Sequence, residues 1–252
     1  MKFAGVIEYD GAKFHGFQKQ AQDRTVAGEL EKALAKVTGA TVKIAGAGRT
    51  DSGVHARGQV ISFSVETRLT PEALGQAVNA VLAKDILVRS LSAVPDEFDA
   101  RRSAVRKEYC YRILTGRYVP VRLRQQVYHY REKLDLSLMR AGAMYLLGRR
   151  DFRSFAASGG KQQKKSTIRE IYRLDITEEV PEGYPDLKMI KIRVEANGFL
   201  YKMVRSIAGT LIEVGRGRID PDRIKAILEG RDRKLAGFSA PAKGLILEKV
   251  DY

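Results

Sequence analysis

The sequence predicts an α+β protein made of two similar subdomains, each an antiparallel sheet with helices laid over one face. Three observations carry this. Strand-like alternation and helical periodicity take turns along the chain, without repeats or low-complexity stretches. Each half contains strands followed by two apolar-striped helices. The length of 252 residues, against roughly 150 per domain, suits one large domain or two closely packed ones. The boundary is expected near residues 95–105, after Pro95, giving subdomains 1–102 and 103–252.

The elements follow in order. Residues 3–9 (FAGVIEY) and 59–65 (QVISFSV) are rich in β-formers. Val26, Leu30, Ala33, Leu34 and Val37 fall on one helical face behind Thr25, a natural N-cap. Thr70-Pro71 opens a second helix with Leu74, Ala77, Val78 and Val81 as its stripe, the proline standing where a missing N–H costs nothing. Between Arg106 and Ile113 the pattern alternates, so Tyr109, Tyr111 and Ile113 share a strand face. A third helix is expected over 136–147, ending at Gly148. Residues 189–196 alternate cleanly, Ile190, Ile192, Val194 and Ala196 against Lys191, Arg193 and Glu195. A fourth helix is expected to carry Phe199, Met203, Val204, Ile207 and Leu211, and a short last one runs from Pro221 to Gly230. The stretch 157–167, ASGGKQQKKST, reads equally as a plain disordered loop or as a segment that orders on an anionic ligand.

Composition narrows the function. Hydrophobic residues at 44% and charged residues at 30% exclude a disordered or collagen-like chain. No apolar run approaches the ~20 residues of a membrane span. Glu8 and Asp10 interrupt the first apolar stretch, which therefore does not read as a signal peptide. Cys110 is the only cysteine, so no intrachain disulfide is expected, and three histidines remain for any metal site. The chain reads as cytoplasmic. Lys and Arg number 45 against 30 acidic residues, a net charge of +15, which favours a polyanionic partner, nucleic acid or an anionic membrane surface, over a merely well-solvated one. The charge recurs as scattered groups (Arg101-Arg102, Arg106-Lys107, Arg117 to Arg124, Lys161 to Lys165, Arg216 to Arg218), as on a folded basic surface.

The densest group of unusual residues is GAGRTDSGVHARGQV, from Gly46 to Val60. It lacks both GxxxxGK[ST] and a GxGxxG opening a helix, so it is not a phosphate cradle. Two readings of Asp51 stand: a carboxylate held ionised by Arg49 two residues earlier, or an Asx-turn. His15, His55 and His129 lack ligand spacing, and each reads as an ordinary hydrogen-bonding residue. No serine sits in a G-x-S-x-G elbow. Tyr109, flanked by Arg106, Lys107 and Arg112, reads either as a stacking platform for an exposed base or as a core tyrosine. Arg205 interrupts an apolar helix face. Buried, it needs an anionic partner; otherwise it snorkels to the surface.

Taken in order, the segments YDGAKFHGFQKQ (9–20), AGRTDSGVHARGQVISF (47–63), VNAVLAKDI (78–86), FDARRSAVRKEYCYRI (98–113), DFRSF (151–155), TIREI (167–171), NGFLYKMVRSIAGTLIEVG (197–215) and APAKGLILEKVDY (240–252) resemble the tRNA pseudouridine synthase A family. The resemblance runs over essentially the whole chain, and RTDSGVHA is its most specific part. It implies the pseudouridine synthase fold, with an active-site cleft between the subdomains. It also implies that Asp51 is the catalytic aspartate, that Arg49 and Tyr109 are the active-site arginine and tyrosine, and that Arg205 is the basic residue paired with the aspartate. Leu245 matches an apolar residue near the target base, and His55, Gln59, Arg106, Lys107, Lys161, Lys164 and Lys165 are expected to contact RNA. The family commonly carries Trp at the position of Phe17 and His at that of Arg150, departures that touch local packing or RNA contacts and not the chemistry.

The implied reaction turns uridine into pseudouridine in the anticodon stem-loop of tRNA. It needs one ionised carboxylate near C1′, where oxocarbenium-like charge develops, and neither cofactor nor metal. The implied partners are tRNA and a second copy of the chain, in a homodimer. Three other readings remain open: an RNA-binding or folding-assist protein on the same scaffold, a metal-dependent nuclease using Asp51 with a second acid, and a synthase acting on another RNA site.

Overall fold

A computed structural model describes residues 1–157 and 166–252, which divide into two compact units: 1–105 with 246–252, and 106–245. In chain order the first unit contains β1 (Lys2–Tyr9), α1 (Val26–Thr38), β2 (Ala45–Gly46), β3 (His55–Ser64), α2 (Pro71–Val81) and β4 (Ile86–Val94). The second contains β5 (Arg106–Thr115), β6 (Tyr128–Tyr130), α3 (Leu136–Met144), β7 (Gly148–Asp151), β8 (Ile168–Glu179), β9 (Lys188–Ala196), α4 (Met203–Gly215) and α5 (Arg223–Gly230). The last strand, β10 (Leu245–Asp251), returns to the first unit from Ile246 onward. The α+β class stands.

In the first unit the strands run β4-β1-β3-β10, with the short β2 also on β3. β1 lies antiparallel to β3, from Lys2 opposite Ser64 to Tyr9 opposite Ala56, and antiparallel to β4 on its other edge. Covered on both sides, β3 is buried along nearly its whole length. Phe3 and Phe63, partners across that ladder, stack at 5.5 Å. α1 begins where expected: the Thr25 hydroxyl accepts from Gly28 N–H, and Gly39 ends the helix in the left-handed region. Its buried stripe of Val26, Leu30, Ala33 and Leu34 joins Leu74 and Val78 of α2 in the core.

The second unit runs β5-β9-β8-β7, with β6 also paired to β5. β9 buries Ile190, Ile192, Val194 and Ala196, the alternation read from sequence. α3 and α4 pack closely because glycines stand at their contacts. A Cβ at Gly215 would come within 2.9 Å of the Met139 sulfur, and one at Gly142 would lie 3.5 Å from Val214 Cγ1.

Three expectations need correction. The sheets are not purely antiparallel: β10 runs parallel to β3 and β6 parallel to β5. In both cases a dozen or more residues intervene, so no tight hairpin dictates direction. The fourth helix begins at Met203, not Phe199, since Lys202 takes a left-handed conformation (φ 58°) that interrupts the periodic apolar pattern. The third helix stops at Met144, which frees Gly148 to begin β7. β4, β8 and β10 were not evident from periodicity. β8 explains why: only Ile171 and Ile176 of its twelve residues are buried.

Two buried tyrosines link this packing to pH. Burial pushes the Tyr9 hydroxyl up to about 12 and also raises Tyr111, whose hydroxyl donates to the Pro241 carbonyl at 2.9 Å. Folding therefore retains protons that the unfolded chain releases. The stabilisation is complete below the ordinary tyrosine value of 10.0 and is lost as pH rises toward the folded values. Urea denaturation near pH 11 should show a loss of about 1 kcal/mol per buried tyrosine relative to pH 9, and Tyr9→Phe should lessen it.

Candidate functional site

The loop between β2 and β3, residues 47–54, has little regular structure, so its backbone groups need partners from elsewhere. The first unit supplies them from two directions. From below, the Tyr9 hydroxyl meets Thr50 Oγ1 at 2.8 Å. Gln59 grips Gly48 at two points: Nε2 donates to its carbonyl at 2.8 Å, and Oε1 accepts from its N–H at 3.4 Å. From the side comes the segment after β1. Phe17 N–H donates to the Thr50 carbonyl at 3.1 Å, and the Phe14 carbonyl accepts from both Ser52 Oγ (3.2 Å) and Gly53 N–H (3.3 Å).

Close approaches make glycine necessary here. Gly16 sits at φ +90°, where a Cβ would lie 2.7 Å from the Thr50 carbonyl oxygen. The Phe17 ring covers Gly46 so closely that a Cβ there would lie 2.4 Å from it. The segment is itself pinned. Arg24 forms a two-point pair with Asp85 at 2.7 and 2.9 Å and lies 4.2 Å over the Phe14 ring. Hydrogen bonding to Arg24 holds the Asp85 carboxyl below the usual carboxylate range.

The outcome is an alternating loop. Gly48 and Thr50 are anchored inward, Arg49 is exposed, and Asp51 is half-buried. The Asp51 carbonyl accepts from Val54 N–H at 3.1 Å, so the aspartate begins a turn. His55 opens β3 at 5% exposure, its Nδ1 lying 3.1 Å from both Gly11 N and Asp10 Oδ1. Gln59 has 0% exposure.

The other predicted site residues belong to the second unit. Tyr109, 7% exposed, stands on β5 with the Phe199 ring edge-on at 5.1 Å. Arg205, half-buried in the first turn of α4, donates from Nε to the Ala240 carbonyl at 2.7 Å, while Ala240 N–H donates back to the Arg205 carbonyl at 3.0 Å. That reciprocal pair sets the plane of the guanidinium. Arg106 is exposed, 3.3 Å from Glu195 and 5.0 Å over the Tyr172 ring, and Lys107 is half-buried beside it. Leu245 is buried where β10 begins. Lys161, Lys164 and Lys165, and most of the 157–167 stretch, lie outside the described residues.

Sequence reasoning did not single out Tyr9 and Thr50, which build the loop's support. The available signal was a tyrosine ending the buried alternation of β1; nothing local ties it to a residue 41 positions on.

The family model for tRNA pseudouridine synthase matches residues 6–101 and 143–252. Among similar proteins, the tRNA pseudouridine synthase A of Thermoanaerobacter sp. (strain X514) is 45% identical over 247 residues, 98% of each chain. That of Bacillus pumilus (strain SAFR-032) is 45% identical over 254 residues, 100% of this chain and 99% of its own. That of Bacillus subtilis (strain 168) is 43% identical over the same span.

The loop geometry carries its own test. Gly16 and Gly39 both have positive φ, but only Gly16 has a backbone oxygen in the way; among the described residues nothing lies within 4 Å of a Cβ at Gly39. Gly39→Ala should cost about 1 kcal/mol and Gly16→Ala about 3 kcal/mol in chemical denaturation.

Proposed function

The chain belongs to the tRNA pseudouridine synthase family, and from that premise we propose that it isomerises uridine to pseudouridine in the anticodon stem-loop of tRNA, with Asp51 acting at the ribose. The observation that supports Asp51 is its setting: a half-buried carboxylate on a loop whose neighbouring residues are anchored inward, next to an exposed arginine. Held this way, a carboxylate is pre-positioned and does not have to be ordered when substrate arrives.

The reaction breaks the C1′–N1 bond, turns the uracil, and joins C1′ to C5; C5 gives up a proton and N1 gains one. Positive charge builds at C1′ as the bond breaks, and the Asp51 carboxylate stabilises it. Attack on C1′ and removal of a sugar proton both require that same ionised carboxylate against the ribose. Arg205 is the basic partner of the Asp51 carboxylate, and Arg49 helps extrude the base. Tyr109 stacks on the uracil, with its hydroxyl assisting the loss of the C5 proton. Leu245 packs near the base. Arg106, Lys107, Lys161, Lys164 and Lys165 follow the phosphates, with His55 and Gln59 close to the substrate loop. No cofactor takes part in this scheme. The enzyme works in the cytoplasm as a homodimer.

The decisive experiment maps pseudouridine, site by site, on an unmodified tRNA transcript with EDTA present. Wild type should modify the anticodon arm, and Asp51→Asn should abolish turnover while leaving tRNA affinity within about twofold, as expected for a group acting only in the transition state. Loss of binding with turnover retained would overturn the role of Asp51. Binding without modification would favour a non-catalytic RNA binder, and cleavage of the transcript when EDTA is replaced by a divalent cation would favour a metal-dependent nuclease. The net charge of +15 gives a companion expectation: between 50 and 200 mM salt, tRNA affinity should fall at least about tenfold through counterion release.

A further inference from the structure

The polar side chains beneath the 48–51 loop call for an explanation that stability alone does not supply. Tyr9 is 3% exposed, Thr50 7% and Gln59 0%. A buried hydroxyl or amide costs free energy unless it is hydrogen-bonded, and an apolar set of the same shape would pack at least as well. Tyr9 is bonded to Thr50 of the loop and Gln59 to Gly48 of the loop, in a particular pattern. Gln59, from β3, takes both peptide groups of Gly48, much as a neighbouring strand would. Tyr9, from β1, holds the side chain of Thr50. Both supports come from adjacent strands of the most enclosed part of the unit's sheet, where the ladder leaves them little freedom. Because the contacts fall on alternate residues, they decide which way the intervening ones point.

We infer that Tyr9, Gln59 and Thr50 are positioning residues for the isomerisation, setting the direction in which Arg49 and Asp51 leave the loop. The inference rests on the reading of Asp51 given above. It assigns Gln59 to the loop backbone and makes the far end of β1 part of the catalytic apparatus, although neither Tyr9 nor Gln59 touches the reacting atoms. Burial keeps the Tyr9 hydroxyl protonated well past neutral pH, so the support is unchanged over the working range. Downstream of Asp51 the two bonds to the Phe14 carbonyl close the other side. With those bonds and the Phe17 N–H bond to the Thr50 carbonyl intact and the side-chain ones cut, the loop would remain attached while Arg49 and Asp51 lost their fixed direction.

The test uses Tyr9→Phe and Thr50→Val, each removing one hydroxyl with the shape kept, and Thr50→Ser, which restores it. Val78→Ala, in the core of the same unit but outside the loop, serves as a destabilised control. Single-turnover rate constants, tRNA Kd and thermal midpoints are measured together with amide hydrogen exchange of residues 47–54 in the absence of RNA. Positioning predicts a ~10- to 100-fold fall in rate for Tyr9→Phe and Thr50→Val, a Kd within about twofold, faster loop exchange, and near-complete rescue in Thr50→Ser. Val78→Ala should lower the midpoint without lowering the rate. If the rate follows only the thermal midpoint across all four variants, or loop exchange is unchanged, the inference is overturned. If wild type itself does not isomerise uridine, the functional reading has failed, and the exchange measurement still decides whether these side chains hold the loop.

Discussion

A loop without helix or strand needs its rigidity from elsewhere, and under residues 47–54 the strands beneath provide it. The peptide groups of Gly48 pair with the amide of Gln59 and the hydroxyl of Thr50 with that of Tyr9, in a region closed to water. In such surroundings a hydrogen bond has no competing solvent and a lost partner is not replaced, so the arrangement is held or broken as a unit. The order of β1, β3 and β4, the burial of β3 on both flanks, and the glycines that admit Phe17 and the Phe14 segment all serve to bring these partners within reach.

The second unit solves a similar problem with a helix end. α4 starts abruptly because Lys202 is left-handed, and Arg205 therefore lies in the first turn. Its reciprocal bonds with Ala240 join the helix to the segment just before β10, and the neighbouring contacts continue the seam. Ser206 meets Ser239, Gly237 donates to Thr210, and Gly209 lets the Phe238 carbonyl approach. An arginine held this way has lost much of its rotamer freedom.

Charge acts at two scales. The overall excess of cations makes a field that draws in a polyanion and screens away with salt. Individual pairs such as Arg24 with Asp85 act locally, fixing the segment that covers the loop. The first kind of charge is exchangeable among surface positions; the second depends on the two-point geometry of a guanidinium against a carboxylate.

Much of this was legible in the residues. β9 and α1 were readable because alternation and a Thr25 cap are local patterns, and the α+β class follows from such elements. The composition of the 46–60 stretch marked Asp51 and Arg49 as candidates without saying what holds them. The start of α4 was not legible, because an apolar stripe runs on through a residue whose backbone turns left-handed. β8 hid behind its exposed side chains. The parallel course of β10 on β3 was hidden by the length of intervening chain. Sequence alone thus determined the periodic elements, the charge and the family resemblance, since each depends on residue identity or short-range order. Tertiary structure alone decided which polar groups support the loop, because Tyr9, Thr50 and Gln59 meet only once the strands have paired, and hydrogen bonds act over distances that chain separation does not encode.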